Sequence, residues 1–110
     1  MPDLEYGLAL PATSAVGELL DLAVEAERLG YRWVWVNDDR LERDPFTVLA
    51  AMAERTERVH LGPGVTNPYS RHPALVATAM ATLDELSGGR AVLGLGAGGT
   101  NHQALAIERT

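Results

Sequence analysis

Four short apolar runs alternate along the chain with three segments in which apolar residues recur every three or four positions. The runs are rich in branched and aromatic side chains, which predicts strands over residues 4–10, 31–36, 59–65 and 91–95. The periodic segments predict amphipathic helices over residues 16–29, 45–53 and 73–86. A strand–helix unit therefore occurs three times before a last strand.

Repeated strand–helix units predict an α/β fold with a parallel sheet and right-handed crossovers. Two architectures accept the pattern, an open doubly wound sheet and part of an eight-stranded barrel. A complete barrel takes ~250 residues, so four strands would form about half of one. In both architectures ligands bind at the carboxyl ends of the strands. No linker or low-complexity segment divides the sequence, and residues 1–110 are expected to form one domain.

The composition excludes several kinds of chemistry. The chain has no cysteine, which removes disulfides, thiolate metal sites and thiol nucleophiles, and all nine basic residues are arginine, which removes Schiff-base lysines. A net charge of −6 disfavours a nucleic-acid partner. No apolar run is long enough to cross a membrane and the amino terminus lacks a basic signal region, so we expect a cytoplasmic protein. The three histidines lack metal-ligand spacing, and no metal is predicted.

An acidic pair, Asp38 and Asp39, follows the second predicted strand. A carboxylate at such a position can act as a base, accept a hydrogen bond from a ligand or pair with an arginine. The spacing alone favours the last of these, with Arg40, Arg43 or Arg71 as the partner.

Two glycine-rich segments follow the third and fourth strands. The first, residues 62–69, contains two glycines and two prolines, which indicates a backbone that leaves the sheet abruptly, either for a ligand or as a tight turn. The second, residues 94–99, fits G-x-G-x-x-G, but it follows the wrong strand for a dinucleotide fingerprint and too few residues come after it. Trp33 and Trp35 share one strand face and are expected to pack against helices.

Three motifs resemble the bacterial luciferase-like superfamily: GPGVTNPYSRHP at 62–73, ATLDELSGGR at 81–90 and LGLGAGG at 93–99. The chain is most similar to the coenzyme F420-dependent oxidoreductases of that superfamily, nearest the methylene-tetrahydromethanopterin reductases. The resemblance spans nearly the whole chain and covers only the first part of the family's domain. It implies the N-terminal half of a (β/α)8 TIM barrel, with four parallel strands alternating with helices and the cofactor at the carboxyl ends of the strands.

The resemblance also implies which residues form the site. A non-prolyl cis peptide bond between Gly64 and Val65 would support the cofactor ring, and the next two residues would reach the ring edge. The glycine-rich exit of the fourth strand would let the ring lie close. The residues implied in cofactor binding are Gly64, Val65, Thr66, Asn67, Gly96, Ala97 and Gly98.

Asp38 matches the acid of an Asp-His pair that many family members carry, and we expect it to polarise or protonate the ring edge or the substrate. Asp39 stands where those members have histidine and is the expected substrate contact. The implied activity is hydride transfer between coenzyme F420 and an organic substrate such as a methylene-tetrahydropterin. The alternatives are an FMN-dependent monooxygenase on the same scaffold and a half-barrel that binds without turnover.

The chain is expected to be an incomplete enzyme, because it ends near Ile107, where the next helix should begin. A half-barrel alone would leave edge strands unpaired and one apolar sheet face uncovered. Besides a small-molecule substrate, the expected partner is therefore a second copy in a homo-oligomer or the missing C-terminal half.

Overall fold

The computed structural model describes residues 3–105, except the side chain of His102. Within these residues a three-stranded parallel sheet of order β1-β2-β3 alternates with helices. The elements are β1 (Gly7–Leu10), α1 (Val16–Arg28), β2 (Trp33–Val36), α2 (Pro45–Arg55), β3 (His60–Pro63), α3 (Pro73–Ser87) and α4 (Thr100–Leu105). The α/β class is thus confirmed. No helix in this range is both long and apolar enough to cross a lipid bilayer.

The hydrophobic core lies between the sheet and the helices that cover one of its faces. Val34 and Val36 project from β2 into this layer and are fully buried. They pack in one cluster with Leu19 of α1 and with Leu49 and Met52 of α2. Burial of each such side chain stabilises the fold by roughly 1.5–3 kcal/mol, so this layer supplies most of the driving force for folding.

Local sequence sets the helix ends much as expected. The carboxylate of Asp44 caps α2 by accepting a hydrogen bond from the Thr47 N–H at 2.9 Å, and Pro45 takes the first helical position. Gly88 ends α3 with a φ of 69°, a left-handed conformation that glycine adopts without steric hindrance.

The fourth predicted strand, over residues 91–95, does not form a regular strand in the described part of the chain. This segment runs beside residues 61–66 and shares backbone hydrogen bonds with them, such as that from the Val92 N–H to the Leu61 carbonyl at 2.9 Å. Its bridges are isolated, however: Leu61 with Ala91 and Thr66 with Leu95, both parallel. Gly94 interrupts the segment, and glycine inside a strand weakens regular pairing. The four-stranded half-barrel predicted from the sequence is therefore not confirmed, whereas the alternating parallel architecture is.

Helix α4 begins at Thr100, which corrects the expectation that the next helix starts near Ile107. The carbonyl of Gly99 accepts a hydrogen bond from the Gln103 N–H at 3.1 Å, which closes the first turn of α4. Gly98, two residues before Thr100, has a left-handed φ of 76°, so the extended segment ends there and the helix can begin at Thr100. Ile107 itself lies outside the described residues.

The two tryptophans lie on the sheet face opposite the helices, so the expectation that they pack against helices is wrong. Side chains alternate along a strand, and Val34 and Val36 occupy the helix-facing positions of β2. Trp35 instead lies against Gly7 of β1 and against Gly64, which directly follows β3. A Cβ atom added at Gly7 would lie 3.4 Å from its Nε1 atom, and one added at Gly64 would lie 2.8 Å from its Cβ atom.

Arg90 is a buried cation that joins the ends of two helices to β3. Its guanidinium donates hydrogen bonds to the carbonyls of Ala53, Thr56 and Val59, each at 3.0 Å, and to the carbonyl of Ser87 at 2.6 Å. A further bond reaches the Thr56 hydroxyl at 2.8 Å. The last carbonyls of a helix have no partner within the helix, and here one side chain supplies donors to the ends of both α2 and α3.

We predict that Arg90→Met lowers the free energy of unfolding by about 3 kcal/mol or more, because several buried carbonyls lose their donors at once. Urea denaturation measures the change. The matched control is Arg55→Met, since Arg55 is exposed and its nearest carboxylate oxygen, on Asp21, is 3.9 Å away. The control should change stability by no more than about 0.5 kcal/mol. Equal losses in the two variants would contradict the role of Arg90.

Candidate functional site

An open cavity of about 400 Å³ lies at the carboxyl edge of the sheet. Three segments form its walls: the β2 loop (residues 37–44), the β3 loop (residues 64–72) and the glycine segment (residues 94–99), together with the start of α4. The structure brings eight of the nine site residues predicted from the sequence to this cavity. They are Asp38, Asp39, Gly64, Val65, Asn67, Gly96, Ala97 and Gly98.

Thr66 is the predicted site residue that does not line the cavity. It is buried, and its hydroxyl donates a hydrogen bond to Oδ2 of Asp38 at 2.8 Å. Its backbone N–H donates to the carbonyl of Gly94 and its own carbonyl accepts from the N–H of Gly96, both at 2.9 Å. Thr66 thus ties the β3 loop to the β2 loop and to the glycine segment. Its predicted contact with the cofactor ring stays a prediction that this geometry does not favour.

Asn67 lines the cavity, but its side chain is used within the β3 loop. Its Oδ1 atom accepts hydrogen bonds from the N–H groups of Tyr69 at 3.0 Å and Ser70 at 2.7 Å, and its Nδ2 atom donates to the Ser70 hydroxyl at 2.8 Å. Asparagine commonly closes turns in this way. The residue therefore shapes the cavity wall, and its contact with a ring edge stays a prediction.

Asp38 is a buried carboxylate whose two oxygens both accept hydrogen bonds from other segments of the chain. Its side chain is only 4% exposed. Its Oδ2 atom accepts bonds from the Thr66 hydroxyl at 2.8 Å and from Nε of Arg71 at 2.9 Å, and its Oδ1 atom accepts one from Nδ2 of Asn101 at 2.9 Å. The pairing with arginine that the spacing favoured is confirmed. With both oxygens engaged, Asp38 is suited to hold its neighbours in place, and its predicted catalytic role stays a prediction.

Arg71 extends this network to the start of α2. Its Nη2 atom donates to Oδ1 of Asp44 at 2.6 Å, and its guanidinium carbon lies 5.0 Å from the centre of the Phe46 ring. Burial alone lowers the pKa of Arg71, but hydrogen bonds to Asp38 and Asp44 outweigh burial and raise it. Burial likewise raises the pKa of the Asp44 carboxyl, and bonds from Thr47 and Arg71 outweigh it, so that pKa lies below 3.8.

Asp39 is the more accessible of the two acids, with a side chain 33% exposed. It accepts a hydrogen bond from the Thr100 hydroxyl, and Nε of Arg40 lies 4.0 Å away. The next two residues, Arg40 and Leu41, have left-handed φ values of 51° and 54°. Asn101 holds this turn, because its Oδ1 atom accepts a hydrogen bond from the Leu41 N–H at 3.0 Å.

Two residues of the glycine segment lie too close to neighbouring residues to carry a side chain. A Cβ atom at Gly94 would lie 2.5 Å from the carbonyl oxygen of Pro63, and one at Gly96 would lie 2.9 Å from Cγ2 of Val65. By contrast, a Cβ atom at Gly99 would have no neighbour within 4 Å, because the cavity is open there. Part of the glycine signal in the sequence therefore reports packing between chain segments rather than space for a ligand.

Val65 forms the wall of the cavity that faces the glycine segment. The peptide bond between Gly64 and Val65 is cis. Val65 is 49% exposed although its side chain contacts Gly96. It therefore offers an apolar surface to whatever occupies the cavity.

Four cavity-lining residues were not among the site residues predicted from the sequence: Asn37, Gly99, and Thr100 and Asn101 at the start of α4. The contacts of Thr100 and Asn101 join positions about sixty residues apart, which leave no local pattern. Asn37 carried a usable signal, since it directly precedes the acidic pair at the end of a strand. Among the described residues no three histidine, aspartate or glutamate side chains are grouped so as to hold a metal ion.

Comparison with known proteins connects this geometry to a family. The family model described as luciferase-like monooxygenase matches residues 5–107. The chain belongs to the luciferase-like monooxygenase family. The resemblance noted in the sequence is therefore confirmed, and the similar proteins include methylenetetrahydromethanopterin reductases.

The 5,10-methylenetetrahydromethanopterin reductase of Archaeoglobus fulgidus is 49% identical over 95 residues, which cover 86% of this chain and 29% of that protein. The solved coenzyme F420-dependent tetrahydromethanopterin reductase of Methanopyrus kandleri superposes with a TM-score of 0.90 at 34% identity, over 94% of this chain and 30% of that one.

The FMN complex of the oxygenating constituent of 3,6-diketocamphane monooxygenase from Pseudomonas putida gives a TM-score of 0.77 at 26% identity, over 87% of this chain and 30% of that one. The luciferase-like chain described here therefore spans about three tenths of the length of its relatives.

We predict that the hydrogen bonds from Thr47 and Arg71 to the Asp44 carboxylate make stability depend on acid pH. The folded-state pKa of Asp44 lies below its unfolded value of 3.8, so the stabilisation is complete above that pH and is lost as the pH falls below it. Asp44→Asn keeps a capping side chain but removes the charge. Urea denaturation from neutral pH to about pH 3 should show a shallower loss of stability in Asp44→Asn than in the wild type, because one titrating group is gone.

The control for this experiment is Asp21→Asn, because the Asp21 side chain is exposed and its arginine partner is 3.9 Å away. Its stability should follow the wild-type pH dependence. A curve for Asp44→Asn that runs parallel to the wild type over the whole range would contradict the lowered pKa of Asp44.

Proposed function

We propose that this chain forms the ring-binding wall of an oxidoreductase that transfers hydride between coenzyme F420 and an organic substrate such as a methylene-tetrahydropterin. The observation that carries the proposal is the single cavity at which the β2 loop, the β3 loop and the glycine segment meet. The similarity to reductases that are named for F420 and methylene-tetrahydromethanopterin supports this choice of cofactor and substrate class.

The residues present fit a flat tricyclic ring. The cavity volume of about 400 Å³ lies within the range of small-molecule sites. Gly96, Ala97 and Gly98 line the cavity with no side chain larger than a methyl group, and Val65 adds a branched apolar side chain next to Gly96. A planar ring would lie against this adjoining surface of backbone and apolar side chain, which would exclude water from one face of the ring.

The proposed mechanism assigns distinct tasks to the residues of the cavity. When bound, a reduced deazaflavin supplies the hydride, which an electrophilic carbon of the substrate accepts. Val65 and the glycine segment hold the ring in place and keep water away. Asp39, whose carboxylate is accessible, accepts a hydrogen bond from a polar group of the substrate. Asp38 keeps the β2 and β3 loops in register, and a direct part in proton transfer is the further role expected of it.

An FMN-dependent monooxygenase is the second candidate. The relative solved in complex with FMN shares the fold at 26% identity, which supports a flavin in the same position. The cavity walls would contact only the ring system, which F420 and FMN share in outline, so they do not distinguish the two cofactors. A binding experiment with both cofactors decides between them, and a chain that binds without turnover would be the third outcome.

We predict that the full chain binds coenzyme F420 and that binding quenches the fluorescence of the cofactor. Ala97→Phe should weaken binding at least about tenfold, since the larger side chain fills the cavity. The control is Ala77→Phe, because Ala77 is an exposed residue of α3 far from the cavity in the fold. Tighter binding of FMN than of F420 would favour the monooxygenase, and a folded chain that binds neither would contradict the proposed function.

We further propose that the sheet face opposite the helices is covered by additional polypeptide, as a second copy or as sequence corresponding to the rest of the relatives' length. Trp33 and Trp35 on that face are only half-buried, and Leu93 and Leu95 beside it are exposed. Apolar surface of this kind favours association. Native mass spectrometry of the chain should show a defined dimer if a second copy is the partner. A monomer at all concentrations would contradict the homo-oligomer.

A further inference from the structure

Arg71 lies in the β3 loop and contacts two acids, one at each end of the β2 loop. Its Nε atom donates to Oδ2 of Asp38, at the end of β2, at 2.9 Å, and its Nη2 atom donates to Oδ1 of Asp44, the cap of α2, at 2.6 Å. The plane of the guanidinium is supported by Phe46, with the central carbon 5.0 Å from the ring centre. One side chain therefore joins the β3 loop to both ends of the β2 loop.

The network continues from Asp38 into α4. Nδ2 of the buried Asn101 donates to Oδ1 of Asp38 at 2.9 Å, and Oδ1 of Asn101 accepts from the Leu41 N–H at 3.0 Å. Leu41 and Arg40 have left-handed backbones, which non-glycine residues adopt only where the surroundings hold them. The turn that carries Asp39 thus depends on Asn101, which in turn depends on Asp38.

The charge of Arg71 is what allows Asp38 to be buried at this point. A buried carboxylate without a counter-charge is strongly destabilising, and Arg71 is the cation that contacts Asp38 within the described residues. A lysine would provide the charge, but its single ammonium group cannot serve two carboxylates with the fixed geometry of a guanidinium fork. Both the charge and the shape of Arg71 are therefore needed.

The hydrophobic core and this network use different interactions. Buried apolar side chains hold the sheet and the helices together, whereas hydrogen bonds join Asp38, Arg71 and Asn101 at the carboxyl edge of the sheet. Loss of Arg71 should therefore disturb the three cavity segments while the sheet and the helices persist. This separation makes the effect of Arg71 on the cavity measurable apart from global unfolding.

We propose that Arg71 is a positioning residue of the cavity, which fixes Asp38 and, through Asn101, the turn that presents Asp39. The proposal rests on the proposed function, because it concerns the same cavity. Arg71 touches neither cofactor nor substrate in this role. It sets the relative positions of the β2 loop, the β3 loop and α4.

The binding test compares Arg71→Met, Arg71→Lys and the control Arg55→Met by titration with coenzyme F420 and with FMN. Arg71→Met should raise the dissociation constant of the bound cofactor about tenfold or more, which corresponds to about 1.4 kcal/mol. Arg71→Lys should recover part of the affinity, and Arg55→Met should match the wild type. Circular dichroism should remain that of the wild type in all three. Unchanged affinity in Arg71→Met, or complete recovery in Arg71→Lys, would overturn the proposal.

A second measurement needs no cofactor. In NMR spectra of the free chain, the Nε–H of Arg71 should give a slowly exchanging resonance because it is bonded to Asp38. Asp38→Asn should weaken or remove this resonance and shift that of the Leu41 amide, whereas Asp39→Asn, the matched control, should leave the Arg71 resonance in place. If the wild type binds neither cofactor, the proposed function fails, and these resonances still decide the positioning role. Rapid exchange of the Arg71 Nε–H in the wild type would overturn it.

Discussion

A carboxylate buried at the end of a strand must find hydrogen-bond donors, and in this chain that requirement falls on Asp38. Its donors are the Thr66 hydroxyl, the Arg71 guanidinium and the Asn101 amide, which belong to the β3 loop and to α4. A carboxylate that stays buried without its donors is strongly destabilising, so the burial of Asp38 requires these segments to lie against one another. Each strand–helix unit packs its own apolar face, but Asp38 is what brings their carboxyl ends together into one cavity.

Close contact between backbones is the second constraint on the cavity. The glycine segment approaches the β3 loop so closely that Gly94 and Gly96 have no room for side chains. The same absence of side chains leaves a smooth wall facing Val65. Packing and ligand binding therefore favour the same residue type here, and a glycine in the sequence does not reveal which of the two selected it.

The sequence predicts most of the architecture and most of the residues that line the cavity. Apolar periodicity locates α1, α2 and α3, and Asp44 marks the start of α2. Because the polar and glycine-rich segments each follow a strand, the sequence also predicts that they meet at the carboxyl edge of the sheet. Periodicity does not tell which sheet face the helices cover when both faces are apolar, which is why the placement of Trp35 was predicted wrongly. Nor does it reveal that Thr66 turns inward to Asp38 or that Asn101 lies beside it, since those contacts join residues far apart in the chain.

The loops at the cavity are thus held by the same kind of fixed hydrogen bonding as the sheet, although they contain little regular structure. Native-state amide hydrogen exchange of the free wild-type chain tests this most directly. The amides of Leu41 and Thr66 should exchange within about tenfold of the amides in the β1–β2 ladder, because they open only when the network around Asp38 breaks. Exchange of both amides more than about a hundredfold faster than the ladder would show that the cavity is not held together in this way.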